Sequence, residues 1–135
     1  MDDILFYSSL IFITNAIVAF YMKYYMYSFF FAMLTVTSMM VHSHKFDLLY
    51  TTLVDKFVIA CIVFCGFYVF LEKVSPENAL YCFLILLLLL STATLYFYGF
   101  MVGDYCFHTD RHIATKYHCL MHTLSSAGNH IVTIL

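Results

Sequence analysis

Long apolar runs separated by short polar stretches dominate this 135-residue chain. Each run has roughly 18–24 residues, which is enough to cross ~30 Å of hydrocarbon at about 1.5 Å per residue in an α-helix. The pattern predicts membrane-spanning helices at residues 4–22, 24–42, 54–71, 79–102 and 116–135. We therefore expect a single all-α transmembrane domain covering residues 1–135, built as a multi-span bundle of about five helices.

The fifth run differs from the others because it is the least hydrophobic. Its small and polar residues are Ser125, Ser126, Gly128, Asn129 and His130. A helix of this kind belongs inside a bundle, since small residues allow neighbouring helices to approach closely. Of the five runs, this one has the hydropathy that least supports a full crossing of the membrane.

The composition supports an integral membrane protein. Hydrophobic residues make up 64% of the chain and charged residues 10%, a balance that no soluble domain of this size could bury. A net charge of −2 without a basic patch argues against nucleic-acid binding. The cations on the N-terminal side of the expected bundle are Lys45, Lys56, Arg111 and Lys116, and those on the other side are Lys23 and Lys73. This excess predicts a cytosolic N-terminus and leaves the organelle open.

A divided set of polar residues interrupts the apolar runs. Ser38 and His42 lie near the end of the second run, Asp55 opens the third, and His118 and His122 lie in the last. Residues four apart share one face of a helix. With five antiparallel spans, all these side chains lie on the N-terminal side of the membrane. Polar groups kept at such positions are expensive in hydrocarbon and are usually functional.

Three histidines, a carboxylate and a hydroxyl can form a zinc-hydrolase site. Three imidazoles leave one tetrahedral position open for water, and a nearby carboxylate can orient that water or take its proton. Other interpretations remain open. The histidines could form interhelical hydrogen bonds, Ser38 could bond its own helix, and Asp55 could lie at the membrane interface. His44, His108 and His112 are expected in solvated loops, and His130 in a packing or hydrogen-bonding role.

The order of these motifs resembles a known group of transmembrane hydrolases, the CREST-type superfamily of alkaline ceramidases, adiponectin receptors and GPI-phospholipases. The motifs that match are Ser38-x3-His42, Asp55 and His118-x3-His122. Three further segments are similar to the GPI-phospholipase and myomaker-like branch, namely Thr14-Asn15, "SMMVH" followed by "VDKF", and "KYHCLMHTLSSAG". The family has seven spans, so this chain resembles a shortened member.

The resemblance implies a zinc ion (Zn2+) held by His42, His118 and His122. It further implies that Asp55 and Ser38 are partners of the zinc-bound water, which would attack the acyl carbonyl of a lipid amide or ester. Asn15 occupies a family-like position, and it and Asn129 are candidates for lining the cavity, although an interhelical hydrogen bond is the favoured role for Asn15.

The expected partner is a ceramide- or phospholipid-like membrane lipid, and a homo-oligomer could rebuild the walls that the missing spans remove. The alternative is a non-enzymatic receptor or fusion-type protein with a structural zinc site.

Overall fold

The computed structural model describes residues 3–135, and this part of the chain is helical without any β-strand. The α-helices are α1 (Asp3–Ser8), α2 (Ile11–Tyr21), α3 (Tyr25–Ser43), α4 (Leu48–Lys73), α5 (Ala79–Ala93), α6 (Gly99–Val102) and α7 (Arg111–Ile134). Short 3-10 turns lie at Pro76–Asn78 and Tyr105–Phe107, and a π-helical segment lies at Thr94–Tyr98. The expected all-α bundle is confirmed.

Four stretches of helix are long and apolar enough to cross a membrane. They are Asp3–Tyr21, Tyr25–Ser43, Leu48–Lys73 and Pro76–Val102. The first combines α1 and α2, and the fourth combines α5, the π-helical segment and α6. The protein is therefore a multi-pass membrane protein. α7 has 24 residues but is not hydrophobic enough to join this group, so its crossing stays a prediction.

Two helices begin earlier than their hydrophobic runs. α4 begins at Leu48 because the side chain of Asp47 accepts a 3.0 Å hydrogen bond from the backbone N–H of Tyr50. α7 begins at Arg111 because Asp110 accepts a 2.8 Å hydrogen bond from the N–H of His112. As a result Asp55 lies about two turns inside α4, whereas the sequence placed it at the start of the third span.

The bundle is organised around α7. Consecutive helices α2, α3 and α4 pack side by side, and α7 contacts α1, α2, α4 and α5. The buried core consists of Phe12, Ala19, Tyr27, Phe31, Leu34, Val58, Ile62, Val69, Ile85 and Val132. α5 packs mainly on α7, and most of its leucine run is exposed on the outer surface, where lipid would cover it. Because α5 lies at the periphery, the site forms between α1, α2, α3, α4 and α7.

Hydrogen bonds satisfy the polar side of α7. Asn15 Nδ2 donates to the carbonyl of Ser126 at 3.0 Å, and Ser126 Oγ donates back to Asn15 Oδ1 at 2.6 Å. The Tyr27 hydroxyl donates to Asn129 Oδ1, and Lys73 Nζ donates to backbone carbonyls in the last turn of α7. These contacts explain how the least hydrophobic helix lies among its neighbours at low cost.

Candidate metal centre

Three histidines from two helices converge at the end of the bundle where α1 begins. Ring centroids are 5.1 Å apart for His42 and His118, 5.7 Å for His42 and His122, and 4.9 Å for His118 and His122. One ring nitrogen from each residue lies within 4.8 Å of the other two. Within residues 3–135 this is the one cluster of histidine, cysteine or acidic side chains with the spacing to hold a metal ion.

Helix periodicity and topology explain this convergence. His118 and His122 lie on consecutive turns of α7 and therefore share a face. His42 lies in the last turn of α3, which ends next to it because His44 adopts a left-handed backbone conformation, with φ of 54°. Since α3 ends on the side of the membrane where α7 begins, the three rings meet at one depth.

The donor set fits zinc. Tetrahedral Zn2+ with Zn–N bonds of about 2.0–2.1 Å requires ligand nitrogens about 3.3 Å apart, which small ring rotations within the cluster can provide. His42 and His122 are buried and His118 is half-buried, so the cluster is closed on most sides. Three histidines without a fourth protein ligand are typical of catalytic zinc sites.

Ser8 contacts the cluster directly. Its Oγ lies 2.9 Å from His122 Nδ1 and also donates a 2.9 Å hydrogen bond to the carbonyl of Leu5. Because a hydroxyl carries a single proton, Ser8 accepts from the Nδ1–H group of His122. This leaves Nε2 of His122 as the nitrogen with a free lone pair, the state required of a metal ligand. The ring edge of Phe12 packs against His122, with centroids 5.2 Å apart.

Ser38 and Asp55 lie at the same end of the bundle, each bonded to a residue of another helix or turn. Ser38 Oγ is 2.9 Å from Ser9 Oγ, and because Ser9 donates its proton to Leu5 O, Ser38 is the donor. Asp55 Oδ1 accepts a 2.7 Å hydrogen bond from Thr37 Oγ1, and Asp55 is 7% exposed, so its carboxyl group is buried by neighbouring helices. Their roles beside a metal-bound water stay predictions.

Ser8, Ser9 and Thr37 were not predicted as site residues from the sequence. A signal for them existed, since two adjacent hydroxyls interrupt the first apolar run and Thr37 directly precedes Ser38. Hydroxyls in apolar helices usually bond their own backbone, and each of these three also does so. Their contacts with His122, Ser38 and Asp55 depend on how the helices are rotated in the bundle.

The remaining polar candidates lie outside the cluster. Asn15 is joined to Ser126, and Asn129 accepts from Tyr27 and donates to the Ser125 carbonyl at 2.7 Å. Both amides thus connect or stabilise helices, which for Asn15 matches the favoured role. His130 Nε2 lies 2.9 Å from Thr14 Oγ1 and does not join the cluster.

A cation and a thiol lie beyond the cluster. Lys56 Nζ lies 4.5 Å from the centre of the Tyr96 ring, a cation–π contact between α4 and the π-helical segment. Cys106 lies in the 3-10 turn Tyr105–Phe107, ahead of α7. Burial raises the pKa of its thiol to about 11, although a backbone hydrogen bond and the positive charge of Lys56 lower the pKa. Cys106 is therefore a neutral thiol at physiological pH and a poor metal ligand.

No protein-family model, curated protein or solved structure matches this chain. The interpretation of the site accordingly depends on the converging histidines, the hydrogen bonds around them and the membrane setting of the bundle.

Proposed function

We propose that this protein is a zinc-dependent intramembrane hydrolase that cleaves the acyl amide or ester of a lipid. The observation that carries the proposal is the convergence of His42, His118 and His122 within a hydrophobic helix bundle. The hydrogen bond from His122 to Ser8 adds support, because zinc-bound histidines almost always have such an outer partner. The motif order shared with the ceramidase and phospholipase superfamily points to the same class.

Each residue of the site has a separate role in the proposed reaction. The three histidines would hold the zinc ion, which when bound supplies Lewis-acid polarisation of a carbonyl and makes water nucleophilic at neutral pH. Ser8 keeps His122 in the correct tautomer. Asp55, held by Thr37, is the proposed proton acceptor. Ser38 is the proposed support for the bound water or the developing oxyanion, and donation to the oxyanion requires that its proton leave Ser9 Oγ.

The membrane setting supports a lipid as the substrate. The cluster belongs to a bundle with four helices apolar enough to cross a membrane, and in a bilayer the exposed apolar surface of these helices would contact lipid. The carbonyl compounds that a bilayer delivers to such a site are lipid amides and esters. We further propose that the N-terminus and the cluster face the cytosol, because the positive charges are more numerous on that side.

A second candidate is a non-enzymatic receptor or fusion-type protein in which zinc clamps α3 to α7. The pairs Ser9–Ser38 and Thr37–Asp55 favour it, because both candidate catalytic groups are engaged in hydrogen bonds that hold helices in place. In that protein Asp55 would contribute to packing, and a neutral amide of the same shape could replace it.

The first experiment measures metal content by mass spectrometry on protein purified in detergent without chelators. We expect about one zinc per chain, as for a single three-histidine site, and its loss in His118→Ala/His122→Ala. The matched control is His44→Asn/His108→Ala, which removes two histidines outside the cluster and should keep the zinc. A wild-type protein without stoichiometric zinc would refute the hydrolase.

Asp55→Asn separates the two candidates. The amide keeps an oxygen that can accept from Thr37 but cannot take a proton at neutral pH. For a hydrolase we expect normal zinc content and no turnover of fluorescent ceramide or phospholipid. If the wild-type protein binds zinc and cleaves neither lipid, the structural role of zinc is favoured.

A further inference from the structure

Lys56 is a cation without a role in the proposed reaction. It follows Asp55 in α4, and because successive residues of an α-helix are about 100° apart around its axis, the two side chains leave the helix in different directions. Asp55 bonds Thr37 of α3, whereas Lys56 Nζ lies 4.5 Å from the centre of the Tyr96 ring in the π-helical segment. An ammonium group and the proposed proton acceptor therefore belong to one turn of α4.

The contact between Lys56 and Tyr96 joins two spans that both pack on α7. α4 packs on α3 and α7, and α5 and the π-helical segment also pack on α7. α7 carries His118 and His122, and the charge of Lys56 acts on His122 and on Cys106 of the neighbouring 3-10 turn. Lys56 is thus within electrostatic range of the histidine cluster.

The charge of Lys56 has no anionic partner in the part of the chain that the structure describes. Within residues 3–135 no carboxylate lies at ion-pair distance from Nζ, and the Tyr96 ring is its contact. A cation–π contact holds an ammonium group in place but does not neutralise its charge. Cations in membrane helices are usually paired with an anion, and Lys56 is exposed. Its position therefore accommodates an anionic ligand.

The proposed reaction produces an anion beside this lysine. Water adds to the acyl carbon, the bond from that carbon to the amide nitrogen or ester oxygen breaks, and the proton that Asp55 accepts passes to the leaving group. The other product is a fatty acid, which loses its own proton to solvent and is a carboxylate at neutral pH. Its chain requires apolar surroundings. Phe57 and Phe97, which adjoin the cation–π pair in the sequence, are exposed where lipid would cover them.

We propose that Lys56 binds the carboxylate of a long-chain fatty acid beside the histidine cluster. The Tyr96 ring holds the ammonium group in place for this contact. As a step of catalysis the inference rests on the proposed hydrolase, because the fatty acid is then the product of the reaction. Binding of a fatty acid taken directly from the bilayer requires neither turnover nor metal.

The test counts the fatty acids bound to the full chain in detergent by native mass spectrometry, on metal-stripped protein so that no metal ion holds the carboxylate. The probes are oleate, oleyl alcohol, which has the same chain without the charge, and acetate, which has the charge without the chain. We expect the wild type to bind oleate about tenfold more tightly than oleyl alcohol, the difference that one charge-assisted contact makes. Lys56→Gln should abolish this preference, and Lys56→Arg should keep most of it because the positive charge stays.

Further variants test the position of the site. Lys45→Gln removes a cation from the loop between α3 and α4 at the same end of the bundle and should bind oleate like the wild type. Tyr96→Leu removes the ring and should weaken the binding of oleate, whereas Tyr96→Phe keeps the ring face and should not. Because Lys56 is exposed, its replacement leaves the core intact, and circular dichroism checks that each variant keeps its helicity.

Three outcomes would overturn the inference. These are equal affinity of the wild type for oleate and oleyl alcohol, equal losses in Lys56→Gln and Lys45→Gln, and displacement of oleate by an equal concentration of acetate. Zinc measured on protein purified without chelators separates the two proposals. A preference for oleate that depends on Lys56 in a protein without zinc would refute the hydrolase alone, and zinc without this preference would refute this inference alone.

Discussion

Ser8→Ala tests whether the hydroxyl at the start of the bundle prepares His122 for metal binding. The substitution removes the atom that accepts from His122 Nδ1–H at 2.9 Å. His122 is 5% exposed and packs against Phe12, so water has little access to replace the lost oxygen. The ring would then be free to turn or to adopt the other tautomer, in which Nε2 carries the proton and cannot ligate.

The expected loss of zinc affinity in Ser8→Ala follows from the burial of the hydrogen bond between Ser8 and His122. Loss of an outer-shell partner of a metal ligand typically lowers metal affinity about 10–100-fold, which corresponds to about 1.4–2.7 kcal/mol. We expect Ser8→Ala to fall within this range. Its effect should exceed that of an exposed serine, because a buried N–H without a partner also pays the cost of desolvation.

The assay is a zinc titration of metal-stripped protein in competition with a chromophoric chelator. Ser28→Ala is the matched control, because Ser28 Oγ donates to the Ala16 carbonyl at 2.6 Å, an interhelical contact between α3 and α2 that does not involve the histidine cluster. We expect Ser28→Ala to keep the wild-type affinity. If Ser8→Ala also keeps it while remaining folded, the reasoning about the tautomer of His122 is refuted.

Two further predictions concern the packing of α7 and the thiol beside it. Asn15→Ala removes both hydrogen bonds to Ser126 and should lower the free energy of unfolding by about 1 kcal/mol, since each interhelical hydrogen bond in a membrane contributes ~0.6 kcal/mol on average. Denaturation in detergent measures the change, and an unchanged midpoint would contradict the Asn15–Ser126 connection. Alkylation of Cys106 by iodoacetamide should be about tenfold faster at pH 9 than at pH 8, because the neutral thiol predominates below its raised pKa of about 11. Peptide mass spectrometry follows the reaction, and a rate that levels off below pH 9 would disprove the raised pKa.

The sequence was sufficient to predict four of the five expected spans and the meeting of the histidines. Long apolar runs leave helices as the only spanning element, and alternating directions place the end of α3 beside the start of α7. His42, His118 and His122 therefore share one depth whatever the details of packing. The first residues of the helices were harder to predict. Asp47 and Asp110 cap α4 and α7, so both helices begin within polar sequence that hydropathy assigns to loops.

Partners of individual hydroxyls could not be predicted from the sequence. The order of spans sets the depth of a residue but not the rotation of its helix, and a rotation of one residue would turn Ser8 or Thr37 toward lipid. For the same reason the sequence favoured a helix contact for Asn15 without identifying its partner, and it left Asn129 as a candidate for lining a cavity. Only the packed bundle shows that they bond Ser126 and Tyr27.

The dependence of α7 on its neighbours has a consequence for biosynthesis. Its polar groups are satisfied by Asn15, Tyr27 and Lys73, which belong to helices that leave the ribosome before it does. α7 therefore gains a favourable place in the bundle only after those helices have been inserted and assembled. Because α7 carries His118 and His122, binding of the proposed metal would follow this last assembly step, and a chain in which α7 stays outside the bundle would lack two of the three candidate ligands. Metal uptake would then report that assembly of the bundle has been completed.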